Sequence, residues 1–450
     1  MTFYLFIYLT MNYFLGVGII VYCLIIPQQI FAQLGKDSIL SEASLDNCVR
    51  YALSHQPVVQ QSVLDEEIAE RSIQSRLADW YPQIYMNYNL THNFDLPTSY
   101  FSSGYIKTGT YNNSTIGLSA NQNIFNKDIL LASRTANDIR RQSRQNTTGS
   151  KIDVVVNVSK AFYNVLLTQK QVEVLDEDLQ RLDRSLKDAY NQYQGGIVDK
   201  IDYKRATISL NNTRAQRKQV NDVIVAKYAN LKQLMGYPDS VDLRLQYDTS
   251  QMEKEAMIDT AQPVQYQNRI EYQLLQTQKS LQYANLKYYQ WSYLPAVSAF
   301  GNYNLGYLSN QFTETYNQTF PNSNIGLQVS IPLFLGNKRV YQVKQAALQL
   351  KRVNWDEVLL KSRINTQYAQ AIASYKGNLA NYIALKDNVQ LANEVYNTLR
   401  LQYTSGIKTY LDVIIAESDL RTTELNFYNA LYQLLQSKID VQQAMGAIHY

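Results

Sequence analysis

The stretches YQGGIVDKID (193–202) and YTSGIKTYLD (403–412) decide the fold of this chain, because they are one element used twice. Tyrosine, glycine, isoleucine and aspartate recur in them at matching positions, 210 residues apart. The Met-Gly pairs at 235–236 and 445–446 keep the same offset. A shared offset over separate motifs predicts that the chain is a tandem duplication.

The segments on both sides of these two tips carry a coiled-coil pattern. Apolar residues recur at alternating spacings of three and four, at 172–193 before the first tip and at 382–403 before the second. Such a repeat keeps an apolar seam facing a partner only if two helices supercoil around each other. Each tip is therefore predicted to join an antiparallel helical hairpin, at about 127–236 and about 337–445.

The N-terminus has the features of a signal peptide. Residues 3–26 are almost wholly apolar, and Ala32 supplies a small residue before Gln33. This pattern predicts a cleaved signal over 1–32, and a start at Met11 would give it ordinary length. An uncleaved anchor is the alternative, because the segment begins without Lys or Arg and is long enough to span a bilayer. No helical membrane span is expected downstream.

Four segments alternate apolar and polar residues, as transmembrane β-strands do when one face meets lipid. The strands are predicted at about 83–93, 114–125, 296–308 and 323–334. Phe300 on the polar side is the exception to the alternation. Residues 94–112 are rich in Gly, Ser, Thr, Asn and Tyr, and we expect them to form a long exposed loop.

Each pair of strands precedes one helical hairpin, which defines a first repeat at 33–240, a linker at 241–262 and a second repeat at 263–450. Four strands cannot close a barrel, and an open edge in lipid would leave backbone groups unpaired. The chain is therefore expected to oligomerise. Two copies would give eight strands, which side chains fill, so a conducting pore favours the twelve strands of three copies.

Composition and motifs argue against several functional classes. The net charge of +4 is spread along the chain, so we expect no nucleic-acid-binding surface. The three histidines are scattered, and no Cys/His spacing, P-loop or G-x-S-x-G motif is present. We therefore expect no enzyme activity, no cofactor and no metal site, and any energy for transport must come from partners.

The chain resembles the TolC-like outer-membrane efflux protein family over its whole mature length. The resemblance rests on the duplicated strand-strand-helix-helix order, on IPLF (331–334) leading into a long helix, on LMGYP (234–238), and on both tips. It implies a mixed α/β membrane protein: a homotrimer with a shared twelve-stranded barrel in the outer membrane of a Gram-negative bacterium and a periplasmic tunnel of coiled-coil hairpins. It also implies a passive conduit for drugs and toxic compounds, docked to a periplasmic adaptor and an inner-membrane pump of RND or ABC type.

The resemblance assigns roles to nine residues of the tips. Five match tips that dock onto the adaptor, and four match residues that gate the entrance. The docking residues are Gly195, Gly196, Ile197, Gly406 and Ile407; the gating residues are Asp202, Tyr403, Lys408 and Asp412. In the family, the first carboxylate latches the entrance to a tyrosine and a basic residue, and the last narrows the tunnel.

Plain structural roles remain open for the same residues. The glycines suit helix C-caps, Asp202 and Asp412 suit helix N-termini, and Lys408 suits a solvated surface. Two positions depart from the family pattern, because Ile201 replaces a hydroxyl residue and Ile415 replaces a second acid.

Two rival functions also remain open. One is the exit duct of a type I protein secretion system, which shares this architecture. The other is a membrane-anchored coiled-coil scaffold without a pore.

Overall fold

The computed structural model describes residues 40, 43–102, 104–246, 249–260 and 262–449. The signal peptide predicted at 1–32 lies outside the described residues. All of the elements belong to one unit, Glu42–Tyr450. No helix in the described ranges combines the length and apolarity needed to cross a membrane.

Four long helices form two hairpins, and shorter helices flank them. The α-helices of the described chain are α1 (Leu45–His55), α2 (Pro57–Ala78), α3 (Lys127–Gln194), α4 (Lys200–Met235), α5 (Thr249–Glu255), α6 (Ile270–Gln290), α7 (Lys338–Thr404) and α8 (Tyr410–Met445). Helices α3 and α7 have 68 and 67 residues. Each therefore extends about 100 Å at the ordinary helical rise.

The predicted apolar seams hold each hairpin together. Helix α3 packs along α4, and α7 packs along α8. Leu175, Leu182 and Ala189 of α3 are buried at intervals of seven residues, and Ala206 and Leu210 of α4 are buried four residues apart, as two seam positions of one heptad are. In the second hairpin, buried Tyr396 clusters with Val413, Ala416 and Leu420. Heptad burial in both repeats confirms the duplicated helical architecture.

Six strands lie between the helices. They are β1 (Gln83–His92), β2 (Thr98–Phe101), β3 (Gly104–Lys107), β4 (Asn112–Phe125), β5 (Ala296–Ser309) and β6 (Thr319–Ser330). Four of them form an antiparallel sheet in the order β1-β4-β5-β6. Strands β2 and β3 pair separately within the segment that we expected to be a loop. Tyr100 and Tyr105 are cross-strand partners there, with rings 5.3 Å apart, and their packing stabilises a hairpin despite the polar composition.

The register of the sheet places apolar side chains on one face and polar side chains on the other. Strand pairing aligns residues from all four strands in rows across the sheet. One apolar row is Ile84, Ala120, Gly301 and Ile325, and one polar row is Asn87, Gly117, Asn304 and Asn322. The large side chains of the apolar face are exposed in the single chain. Such a face is expected to meet lipid.

Phe300, the exception in the predicted alternation, has a packing reason. It is paired with Gly326 on the neighbouring strand. Its ring covers that glycine so closely that a Cβ on Gly326 would come within 2.7 Å of the ring. The aromatic side chain thus fills the gap left by a residue without a side chain.

The flanking helices have different surroundings in the two repeats. Helix α2 packs on α3, where Arg140 donates two hydrogen bonds to Glu70 at 2.6 and 3.0 Å. Helix α6 lies between α3 and α7. It reaches α3 through Thr277, which donates to Gln145 at 2.8 Å, and α7 through the ion pair of Lys279. The outer face of α2 therefore lacks the second helix that its counterpart α6 has.

Both repeats end in the same way. Helices α4 and α8 are followed by Gly236 and Gly446, with φ of 66° and 71°. The backbone of His55 or Asn268 lies so close that a Cβ on either glycine would approach it to 2.7 Å. This close approach explains why a Met-Gly pair stands at both positions.

Candidate functional site

The two tips have the same backbone geometry. Gly196 and Gly406 both have a φ of 73°, a conformation that glycine adopts without strain. The next amide, of Ile197 or Ile407, donates to the carbonyl oxygen of the residue five positions earlier, Gln192 or Gln402, at 2.9 Å in both tips. This pattern closes a helix with a Schellman motif. The preceding Gly195 is the C-cap of α3. The docking glycines therefore act as helix ends, whatever else they contact.

An isoleucine projects from each turn. Ile197 is 76% exposed and Ile407 is 72% exposed. A Schellman motif often buries an apolar residue at this position against its own helix, so two exposed isoleucines are unusual. Both belong to the predicted docking set. They give each tip an apolar point that the chain itself does not cover.

The two tips start their second helices differently. In the first tip, Asp199 caps α4 and accepts from the amide of Ile201 at 3.1 Å. In the second, Thr409 and Asp412 form a reciprocal capping box. The Asp412 carboxylate accepts from the amide of Thr409 at 3.0 Å and from the hydroxyl of Thr409 at 2.8 Å. These hydrogen bonds hold the pKa of Asp412 below its ordinary value, and the charge of Lys408 adds to the effect. Asp412 therefore has a structural role inside a single chain.

Tyr403 links the two hairpins at the tips. Its hydroxyl donates to Gln192 Oε1 of α3 at 2.6 Å. Burial raises the pKa of Tyr403, and the nearby carboxylates of Asp202 and Asp188 raise it further. Tyr403 thus lies near Asp202, and the acceptor of its hydrogen bond is Gln192. No sequence pattern pointed to that glutamine beyond its place next to the tip.

Asp202 and Lys408 are not brought together within one chain. Across the part of the chain that the structure describes, neither side chain forms an ion pair. Lys408 is exposed, and Asp202 is half-buried in the first turn of α4. Both charges remain available to another copy of the chain.

Tyr410 is a residue of the tips that sequence reasoning missed. It is buried against Ala189 of α3 and Ala206 of α4, and its ring lies 5.7 Å from that of Tyr403. It therefore seats the start of α8 on the first hairpin. Its position four residues after Gly406 could have indicated this role, because the first tip has the charged Lys200 there.

A buried cluster of charges joins the two hairpins further along the helices. Asp178 of α3 has no exposed side-chain surface and accepts from Arg421 of α8 at 2.9 Å. The same Arg421 nitrogen donates to Thr213 of α4 at 2.9 Å. Arg181 of α3 pairs with Asp178 at 3.4 Å and with Glu424 of α8 at 3.5 Å. The sequence prediction missed this cluster because its members stand beside the seam positions and look like surface charges.

Comparison with known proteins gives one family match and several relatives. The sequence profile of the family described as outer membrane efflux protein matches residues 49–237 and 273–447. The chain is 21% identical over 343 residues to outer membrane protein TolC of Vibrio cholerae serotype O1, covering 74% of this chain and 76% of that protein. It is 20% identical over 411 residues to alkaline protease secretion protein AprF of Pseudomonas aeruginosa, covering 89% and 82%.

The fold has matches among solved structures. The outer membrane protein VceC from Vibrio cholerae superposes with a TM-score of 0.71 at 14% sequence identity, over 89% of this chain and 96% of that one. The structure of CusC superposes with a TM-score of 0.74 at 15% identity, over 93% and 95%. The duplicated helical and strand architecture is thus a known fold.

Proposed function

We propose, from the premise that the chain belongs to the outer membrane efflux protein family, that three copies assemble into one exit duct for small molecules. The protein lies in the outer membrane, and its long helices extend into the periplasm. Its relatives are channel proteins and not enzymes. The observation that carries the proposal is a sheet with an exposed apolar face, continuous in sequence with helices about 100 Å long.

The strand pairing supports assembly from several copies. Within one chain, β4 of the first repeat pairs with β5 of the second, while β1 and β6 each keep one unpaired edge in the described sheet. Unpaired backbone groups are costly in lipid. Because β5 is the counterpart of β1, and β6 that of β4, strand β6 of one copy can pair with β1 of the next as β4 pairs with β5. Three copies then close a cylinder of twelve strands with room for an aqueous lumen.

The helices support the same arrangement. Helix α6 bridges α3 and α7 within the chain, whereas its counterpart α2 packs mainly on α3. Helices α2 and α6 begin at Pro57 and Ile270, 213 residues apart, whereas α3 and α7 end at Gln194 and Thr404, 210 residues apart. Moving the contact of Thr277 with Gln145 by these two offsets pairs Leu64 of α2 with Trp355 of α7. These two side chains are 57% and 66% exposed. The duplication therefore pairs two exposed apolar residues across neighbouring copies.

The tips support docking and gating. The exposed Ile197 and Ile407, held by identical turns, give each copy two apolar points for a periplasmic adaptor, which in turn connects to an inner-membrane pump. Asp202 and Lys408 form no ion pair among the residues that the structure describes, and a charge-assisted hydrogen bond between copies would join them. Together with Tyr403 and Asp412 they would narrow the entrance at rest.

The test combines assembly and conductance. Chemical cross-linking of the purified protein in detergent should give trimers, and insertion into planar bilayers should give discrete channel openings. Replacing Asp202 or Lys408 by alanine should raise single-channel conductance. A monomer without conductance would support the coiled-coil scaffold instead, and unchanged conductance in both variants would remove the gating role.

A second candidate function is the exit duct of a protein secretion system. It is favoured by the similarity to AprF and to the proteases secretion protein PrtF of Dickeya chrysanthemi. Cargo is selected by the partners rather than by the duct. Pull-down of the native complex, with identification of the adaptor and the pump, separates the two functions.

A further inference from the structure

Glu417 of α8 is a buried carboxyl group without a hydrogen-bond partner. Its residue is 1% exposed, and neither carboxylate oxygen meets a donor among the residues that the structure describes. Its own chain encloses it, so a neighbouring copy cannot reach it to supply one. An ionised carboxylate in such a place is costly, whereas a protonated one is tolerated.

The nearby guanidinium groups donate to other acceptors and not to Glu417. Arg421 donates to Asp178 and Thr213 through one nitrogen and to Ser418 at 3.1 Å through the other. Arg181 pairs with Asp178 and Glu424. Arg181 also lies 3.8 Å from Glu177, so these two cations are shared among several carboxylates. Ionisation of Glu417 adds a negative charge beside Asp178 that no hydrogen-bond donor among the described residues meets.

Every helix around Glu417 contributes to its electrostatic environment. Helix α3 presents Asp178 and Arg181, with Glu177 beside them; α7 presents Tyr396 and Arg400; α8 itself presents Tyr410, Arg421 and Glu424; α4 presents the neutral Thr213. Burial, and then the charge of Asp178, raise the pKa of Glu417 to about 7, against the opposing effect of Arg181, Arg421 and Arg400. Its protonation therefore changes near neutral pH.

The position of the cluster gives that change a mechanical consequence. Asp178 and Arg181 belong to the first hairpin, and Glu417 and Arg421 belong to the second. The cluster is thus a polar attachment of α8 to α3. Glu417 lies five residues beyond Asp412, which is about 8 Å along the helix axis. A shift of α8 at Glu417 is transmitted directly to the tip.

We propose that Glu417 is a proton-binding site that controls the attachment of α8 to α3 and, on the basis of the proposed function, the width of the entrance. With the proton bound, Glu417 adds no charge to the cluster and the two hairpins stay together. With the proton released, the added charge beside Asp178 weakens the attachment and the entrance widens.

The direction of the pH dependence follows from linkage. Because the carboxyl group has a higher pKa in the folded chain than in water, the attached state binds more protons between the ordinary carboxyl range and about pH 7. The attachment is therefore strongest below that range. It weakens as the pH rises through about 7.

The first experiment measures single-channel conductance of the purified protein in planar bilayers on both sides of pH 7. Wild-type conductance should rise as the pH is raised. The Glu417→Gln variant keeps the shape of the side chain without the titrating proton, and it should lose the response and stay at the low-pH value. The matched control is Asp419→Asn, an exposed acid two residues along α8, which should follow the wild type.

The second experiment detects the protonation state of Glu417 directly. Infrared difference spectroscopy in detergent should show the carbonyl band of a protonated carboxylic acid that disappears with a midpoint near pH 7 and is missing from Glu417→Gln. If the conductance of the wild type does not respond to pH, or if the Glu417→Gln variant still responds, Glu417 does not control the width of the entrance. Failure to form pores at any pH overturns the proposed function, whereas absence of the infrared band overturns the proton site itself.

Discussion

Asp178 illustrates, at the scale of single residues, how a buried charge positions one hairpin on the other. Its carboxylate has no exposed surface and is held by Arg421, Arg181 and Thr213. A complete buried ion pair is a weak source of net stability, because both charges lose their hydration. Removing one partner is different, because the remaining charge stays buried without compensation.

The variant Arg421→Met is therefore expected to destabilise the protein. Asp178 would keep only the longer contacts to Arg181 and Thr213, both at 3.4 Å, and the expected loss is about 3–5 kcal/mol per chain. The measurement is the midpoint of unfolding in denaturant, followed by circular dichroism. Arg217→Met is the matched control, because Arg217 pairs with Asp176 at a more exposed site within the first hairpin. Similar effects of the two variants would contradict the argument.

The exposed Ile197 and Ile407 allow a prediction about export that rests on single side chains. Ile197→Asp and Ile407→Asp should each reduce export in cells at least about tenfold, because a charge in an apolar docking point costs more than 1.4 kcal/mol of binding. Trimer formation and conductance should not change, because neither side chain packs on its own chain. Val225→Asp, an exposed apolar position on α4, is the control. Normal export in both tip variants would place the adaptor contact elsewhere.

At the scale of elements, the heptad seams made the helical hairpins predictable. Spacings of three and four through 172–193 and 382–403 specify which face of each helix is buried. They do not specify which hairpin packs on which. Asp178 and Arg421 come together only once α3 lies against α8, so no local pattern could reveal their pairing. The hairpin of β2 and β3 was missed for a similar reason, because one tyrosine pair stabilises it within a polar segment.

The start of α8 provides a test that separates capping from gating. Thr409→Val removes the capping box but keeps the carboxylate of Asp412, so it should lower stability by the usual cost of a lost cap, about 1 kcal/mol, and leave ion selectivity unchanged. Asp412→Asn removes the charge and should reduce selectivity for cations. Thermal unfolding and reversal potentials in bilayers measure the two effects. A change of selectivity in the threonine variant would mean that Asp412 acts only through the cap.

At the scale of the whole molecule, the duplication predicts contacts that a single chain cannot display. In the proposed assembly, the repeats use equivalent surfaces, once inside the chain and once between copies. The most specific predicted contact joins Leu64 of one copy to Trp355 of the next, and both side chains are exposed in the single chain. The sequence predicted the need for oligomerisation from the number of strands, but the identity of these partners required knowing where α6 packs.

A disulfide cross-link tests that geometry. The double variant Leu64→Cys and Trp355→Cys should form covalent dimers and trimers under mild oxidation, because the two positions face each other only between copies. Denaturing gels without reductant measure the products. Cys48 is buried, and burial raises the pKa of its thiol to about 12, so the native thiol should not react. Each single variant is the control, and cross-linking confined to single chains would contradict the arrangement.

The identical turns and the different caps of the two tips have a consequence for partner stoichiometry. A ring of three duplicated chains presents six turns of one shape, spaced alternately as first and second repeats. A partner that contacts only the glycine turn and its isoleucine would have six equivalent docking sites. A partner that senses Asp199 or the Thr409 box would find three, so counting bound partners would reveal which part of the turn is recognised.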